Sequence, residues 1–308
     1  MLKLTLSTIA ASLLVLSPIA TPAQAQPTRV FVAAQGLDSN PCTFAQPCRT
    51  FQHAHDVVAA NGEIDVLDPA GYGMLTITKA ISIQGHGFAG LAVPSGNGIV
   101  ISAGPDDIVN LRGLLLDGIG TGNAGIVFGT GAALDIQDCL IRNFQSFGIY
   151  FGPVASSALF VSGTHISANG GNGIYLQPFG SGATAAFHRV LALRNGYGIY
   201  VLGLSSSGRI KVEIGDSVIA NNSIDGVFSD STTAPTIVTV RNSMVTNNGS
   251  QGVYATGPTA TLRLIRSTVT GNAVGWATQN GGTLTSSGEN NIDDNGAGNG
   301  APPLNPPK

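Results

Sequence analysis

Apolar and polar residues alternate along this chain in short runs, and the runs recur. In the stretch Ser157 to Ala183, Leu159 and Val161 alternate with Phe160 and Ser162. That two-residue period predicts a strand. Gly163 and Thr164 turn the chain, Ile166 opens a second short strand that Asn169 ends, and Gly170 to Asn172 turn it again. Gly173-Ile174-Tyr175-Leu176 makes a third strand, and a segment rich in Gly, Ser and Pro leads back to the start. In the following units Ala185, Val212, Val238 and Leu262 take the place of Leu159, and Phe187, Ile214, Val240 and Leu264 that of Val161. A helical reading fails, because the apolar spacing is two and Gly, Asn, Ser and Thr interrupt every run.

Two ladders of single residues keep the same period. One is Asp117, Asn143, Asn169, Asn195, Asn222, Asn248 and Asn272, each three positions after Leu114, Leu140, Ile166, Ala192, Ile219, Val245 or Val269. The other is a Gly followed by an apolar residue, at Gly98, Gly125, Gly148, Gly173, Gly198, Gly226, Gly252 and Gly275. A repeat of about 25 residues with three strands and three turns describes one coil of a solenoid. Such a unit buries its apolar side only against the coils above and below it. The fold class expected is therefore all-β, a β-solenoid with three short strands per coil. The Asn residues are expected at tight turns, where Asn tolerates unusual backbone angles and its amide bonds along the stack.

The open end of a stack needs a cap. Thr50 to Ala60 reads as one helix: Thr50 caps it, Phe51, Ala54, Val57 and Val58 form its apolar face, and Asn61-Gly62 stops it. After it come Ile64-Asp65-Val66-Leu67, then Asp68-Pro69-Ala70-Gly71-Tyr72, then alternating residues from Leu75 to Gln84 joined through Lys79 and closed by Gly85-His86-Gly87. A capping helix, an apolar strand, Pro-x-Gly-Tyr and strands closed by Gly-x-Gly resemble the opening of pectin-lyase-like right-handed parallel β-helix proteins. The later Ile-x-x-Asn and Gly-Ile-Tyr units are similar to the repeats of that superfamily. The resemblance spans roughly residues 50 to 280 and implies a right-handed parallel β-helix. It implies no single activity, since the superfamily holds polysaccharide lyases, hydrolases, epimerases, tailspikes and non-catalytic surface proteins.

Residues 1–25 read as a signal peptide: Lys3, an apolar run from Leu4 to Ala20, and a small-x-small site at Ala23-Gln24-Ala25. The expected division is a leader over 1–25, an N-terminal segment with a disulfide loop over 26–49, the β-helix over 50–282, and a C-terminal cap and flexible tail over 283–308. The expected location is periplasmic or extracellular, with no membrane span once the leader is removed. The 14 basic residues less Lys3 leave 13 against 17 acidic ones, and charged residues are only 10% of the chain, with no Lys/Arg cluster. No nucleic-acid partner is expected. In an exported chain Cys42 and Cys48 are expected to pair in a small disulfide loop. A metal site there has only His53 and His55 as further ligands, so none is expected. Cys139 reads as a small buried apolar residue. No cofactor motif is evident.

Candidate chemistry is thin. Gly85-His86-Gly87 and Arg209-Ile210-Lys211 resemble elements of polygalacturonase-type hydrolases, but they lie four to five coils apart and carry no role over. Asp135 and Asp138 are expected near Arg142, and Glu213 near Arg241 or Arg263, with His188 on the same surface. The stronger lead is aromatic: Tyr150, Tyr175, Tyr200, Phe228 and Tyr254 each stand two residues after a ladder Gly and are expected to point outward in a stripe. Aromatic rings give a large contact area at little entropic cost, and a hydroxyl gives a polar tip; cross-strand rings also stabilise sheets without a ligand. Two functions stay open. One is an exported protein that binds a polysaccharide along its flank and, if an enzyme, acts as a lyase, hydrolase or epimerase. The alternative is a non-catalytic envelope or adhesion protein with a rigid surface for a protein partner.

Overall fold

The computed structural model describes residues 25–304, so the expected leader, apart from Ala25, lies outside the described residues. One coil runs through Phe147–Phe151, Ser157–Ser162 and His165–Ser167, and the next begins at Asn172–Leu176. Stacked coils build three parallel ladders. The first rises from Arg29–Val32 to Thr283–Ser286 and the second from Ala70–Gly71 to Asn291–Asp293. The third holds nine strands, from Leu75–Ile77 to Val274–Gln279. In two early coils one bent strand serves both the first and second ladders, Ile81–Ala92 and Ile108–Asp117, and a register shift between Gln84 and Ala89 marks the corner.

The core consists of inward columns. Leu134, Leu159, Ala185, Val212, Val238, Leu262 and Leu284 are aligned across successive coils, and all are buried. Each such Leu or Val is worth about 1.5–3 kcal/mol in burial, realised only when both neighbouring coils are present. At the N-terminal end the helix Phe51–Val57 closes the column with Phe51, Ala54 and the following Val58, all buried. Thr50 caps it, its hydroxyl accepting from the N–H of His53 at 3.2 Å. The helix is shorter than its sequence predicts. Val58 turns extended (φ −67, ψ 144), which drives its side chain into the core, and Asn61 takes a positive φ of 62 before the next strand.

The structure shifts the register of the first two Asn rungs. Ile166 pairs with Ile141, and Ile141 with Leu116, so Leu114 and Leu140 are not its equivalents. Buried Phe144 therefore holds the place of Asn169, while Asn143 falls one residue early and Asp117 pairs with Arg142. Core-facing residues set register, because a one-residue slip would turn them outward. From Asn169 the ladder is continuous. Each amide donates to the Oδ1 of the next: Asn169 to Asn195 (2.9 Å), Asn195 to Asn222 (3.2 Å), Asn222 to Asn248 (2.9 Å), Asn248 to Asn272 (2.8 Å) and Asn272 to Asn295 (2.9 Å). Asn299 closes the chain beyond Asn295. The left-handed backbone belongs to the preceding residues, Ala168 (φ 55), Arg194 (φ 56), Asn221 (φ 55) and Asn247 (φ 55). The ladder Asn is selected for its amide, not for its backbone.

The turn between the first and second ladders carries a second polar column. The hydroxyl of Ser217 accepts from the N–H of Val190 (3.1 Å), that of Ser243 from Ser217 (3.1 Å) and that of Ser267 from Ser243 (3.2 Å). Thr164 serves Cys139 likewise (3.3 Å), and the sulfur of Cys139 accepts from the N–H of Leu114 at 3.4 Å. Cys139 is buried as expected, but it is a rung of this column. Burial pushes its thiol up to about 12.

Candidate functional site

The aromatic stripe forms on the third ladder in the predicted register, Tyr150 beside Tyr175, Tyr175 beside Tyr200, Tyr200 beside Phe228, and Phe228 beside Tyr254. Ring centroids along it are 5.6, 5.1, 4.6 and 4.9 Å apart. Phe147 and Tyr197 add rings beside it, 5.4 Å from Tyr150 and 5.2 Å from Tyr200. Phe228, itself buried, stacks on Tyr200 and Tyr254, whereas the Tyr150–Tyr175 and Tyr175–Tyr200 pairs are tilted by 40° and 39°. The Tyr150 hydroxyl donates to Gln177 (3.4 Å) and the Tyr200 hydroxyl to Asp230 (3.4 Å). Burial, then the Asp230 charge, raises the Tyr200 phenol; burial, then Tyr150 and Asp230, raises Tyr175 to about 12. Burial also lifts the Asp230 carboxyl above its ordinary range. The stripe is a cross-strand stack with polar tips.

The charged pairs differ from expectation. Arg142 bonds Asp117 at 2.9 Å, while Asp138 faces Arg112 at 3.5 Å and Asp135 accepts from Gln137 at 3.2 Å. Register explains this: Arg142 stands beside Asp117 on the second ladder, and Asp135 lies on the first. Glu213 faces Lys211 at 3.7 Å, with Thr239 between it and Arg263. Arg241 lies over Gly215 instead, and His188 meets Asp216 at 3.2 Å. These are exposed pairs of small energetic weight. Arg209-Ile210-Lys211 begins five first-ladder rungs beyond Ile81–Ala92, roughly 24 Å at the ladder spacing.

A more organised polar region lies on the first ladder near its N-terminal end. Glu63, Ser82, Asn110 and Asp135 form one outward column, and Asp65, Gln84, Arg112 and Gln137 a second. Between and beside them run two adjoining clefts of about 470 and 220 Å³ that share Gln84 and Arg112, the larger also lined by His86 and Asp138. Asp65 is nearly buried and held by two groups, Arg29 Nη2 at 2.5 Å and His86 Nε2 at 2.6 Å. An ionised carboxylate only accepts, so the His86 Nε2–H is the donor in this contact. His86 itself has a left-handed backbone (φ 55). The first column runs on to Phe160, which pairs with Asp135 on one side and small Ala186 on the other and is 46% exposed. Unlike the tyrosines, Phe160 stacks on no other ring among the described residues.

Sequence reading set His86 aside and missed Phe160. The signal available was Phe160 itself, a large apolar residue at an outward position of its strand.

The family profile described as a right handed beta helix region matches residues 97–274. The chain belongs to the right handed beta helix family. Among solved structures it is similar to the pectate lyase Pel9A, at 17% identity and a TM-score of 0.54, over 86% of this chain and 70% of that one. It is also similar to the A-module of the mannuronan C-5 epimerase AlgE4 of Azotobacter vinelandii (16% identity, TM-score 0.48, 75% of this chain and 81% of that one). No curated protein matches the sequence. At these identities the likeness is one of fold.

Proposed function

We propose that this β-helix protein binds a polysaccharide along the first ladder, with the chain axis running across the coils. The carrying observation is a polar groove and an aromatic ring with uncovered faces on one flank. Ser82, Gln84, Asn110, Asp135 and Gln137 offer paired donors and acceptors for sugar hydroxyls. Phe160 offers a flat apolar face to a pyranose ring at the end of that row. The fold neighbour named a pectate lyase supports this reading. His86, held by Asp65 at the edge of the cleft, is the residue this reading assigns as the base that a lyase or epimerase would need. Export through the leader over 1–25 belongs to this reading.

The tyrosine stripe is the competing face. A glycan there would meet rings already packed on one another and hydroxyls already bonded to Gln177, Asp230 and Gln279. Affinity electrophoresis across a panel of neutral and acidic polysaccharides separates the two. Phe160→Ala and Asn110→Ala are expected to abolish retardation while Tyr175→Ala leaves it. The reverse pattern moves the site to the stripe, and no retardation by any polymer ends the proposal.

One observation favours a protein partner as a second reading. On the second ladder Leu115, Leu140, Leu191, Val218 and Met244 form an outward column, with Met244 47% and Leu191 37% exposed. His165 stands in the same column, its Nε2 buried without a partner. Burial, then Arg194 and Arg142, holds it neutral by lowering its pKa. Such an apolar stripe on a flat sheet suits a protein surface. Loss of a cross-linked partner on Leu191→Asp, with polysaccharide binding intact, is the outcome that would favour it.

A further inference from the structure

The first-turn helix residue His53 lies against the Cys42–Cys48 loop, although it stands eleven positions after Cys42 in sequence. The structure joins the two cysteines as a disulfide with their Cα atoms 4.6 Å apart. Both sulfurs and a ring nitrogen of His53 all lie within 4.8 Å of one another. The scaffold around them is fixed on three sides. Cys48 is locked to the first strand, its N–H donating to Phe31 (2.9 Å) and its carbonyl accepting from Ala33 (3.0 Å), while the Cys42 carbonyl accepts from Phe31 (2.8 Å). His53 is placed by the helix cap, where Asp38 accepts from the N–H groups of Arg49 (2.9 Å) and Thr50 (3.0 Å) and from the Thr50 hydroxyl (2.9 Å). The cysteines are fully buried and His53 half-buried, which leaves the imidazole as the solvent-side wall. Neither ring nitrogen of His53 hydrogen-bonds a protein group among the described residues.

We infer that, when the bridge is reduced, Cys42, Cys48 and His53 form a three-ligand site for a zinc-class divalent ion, with the fourth position open to water. Two thiolates and one imidazole are a zinc donor set. A tetrahedral ion with bonds of about 2.0–2.3 Å needs ligand atoms roughly 3.5–3.8 Å apart. With the Cα atoms 4.6 Å apart, rotation about each Cα–Cβ bond is the movement by which both sulfurs would reach one ion once the S–S bond is open. The balance is simple. A dithiol gives two electrons and two protons to the disulfide, leaving two thiols here and a disulfide in the reductant. The ion then displaces both thiol protons to solvent. The carboxylate of Asp38 lies near His53 and supports the positive charge brought in. The site does not depend on the polysaccharide proposal, since it lies at the capped end and not on the first-ladder groove. Its consequence is structural: the ion replaces the covalent staple that holds the N-terminal segment onto the capping helix.

The test uses the full chain, reduced with a phosphine and desalted without oxygen, in a Cys139→Ser background so that only the pair titrates. Cobalt(II) chloride is added as the probe. One equivalent is expected to give a thiolate-to-cobalt charge-transfer band and tetrahedral visible absorption, both displaced by zinc chloride. The unreduced protein should give neither. His53→Ala, which keeps both thiols, should bind about tenfold or more weakly, and zinc should raise the melting temperature of the reduced protein but not of reduced Cys42→Ser. A reduced protein that gives no charge-transfer band, or a His53→Ala protein that binds as tightly as the parent, overturns the inference. Circular dichroism confirms that each variant keeps the solenoid.

Discussion

Gly173 sits against Asn195. A Cβ placed on Gly173 would stand 2.9 Å from the Asn195 amide nitrogen and 2.6 Å from the carbonyl oxygen of Gly198 in the next coil. The two ladders visible in the sequence are therefore one device: the Gly makes room for the Asn amide where the backbones of adjacent coils approach. Gly173→Ala is expected to cost about 1–3 kcal/mol through overpacking. A urea titration followed by circular dichroism measures it; an unchanged midpoint would mean that the coils yield without penalty.

Asn195→Ala tests the amide side of the same contact. The side chain accepts from the N–H of Asn169 (3.2 Å) and from its amide (2.9 Å), and donates to the Ile166 carbonyl (3.2 Å) as well as to Asn222. All of these groups are buried, and removal leaves the Asn169 N–H without its acceptor. A loss of about 1–3 kcal/mol is expected. Gln145→Ala, at an exposed turn position outside the buried ladder, should change stability far less in the same titration.

Cys139→Ser should be nearly neutral, within about 1 kcal/mol. Other rungs of that column already use Ser217, Ser243 and Ser267, and a hydroxyl is a better acceptor for the Leu114 N–H than a thiol. A large drop in melting temperature would show that the site needs sulfur's volume.

Tyr200 and Phe228 stack at 4.6 Å. A double-mutant cycle to Ala at the two positions should give a coupling of about 0.5–1.5 kcal/mol. That result belongs to the stripe as a structural stack and is independent of any ligand. Zero coupling would mean that each ring packs only on its own coil.

Burial raises the carboxyl of Asp225 above its usual value of 3.8, against the lowering pull of the Gln251 N–H and Ser250. The folded state therefore holds the proton more tightly than the unfolded chain does. Stability from this group is full below 3.8 and falls as pH rises through the higher folded value. Denaturation midpoints measured across that acidic window should decline less steeply in Asp225→Asn than in the parent protein. Parallel slopes would contradict the assignment.

The sequence by itself determined the coil. A two-residue alternation and a fixed repeat leave an apolar side that only a stack can bury, and Leu159, Ala185, Val212, Val238 and Leu262 align as their spacing requires. It also put the five rings in one column of the third ladder, because strand parity is local, although Phe228 is buried between its neighbours. Tertiary structure decided the rest. Asp117 and Asn143 keep the period yet miss the ladder, since the core sets register and Phe144 fills the rung. The groove gathers His86, Arg112 and Asp138 from three successive coils, with Asp65 bonded to His86 behind it and Phe160 next to Asp135 in the following coil, and His53 reaches the cysteines through the fold of the cap. Loop lengths vary between coils, so only the stacked backbone reveals which outward residues become neighbours.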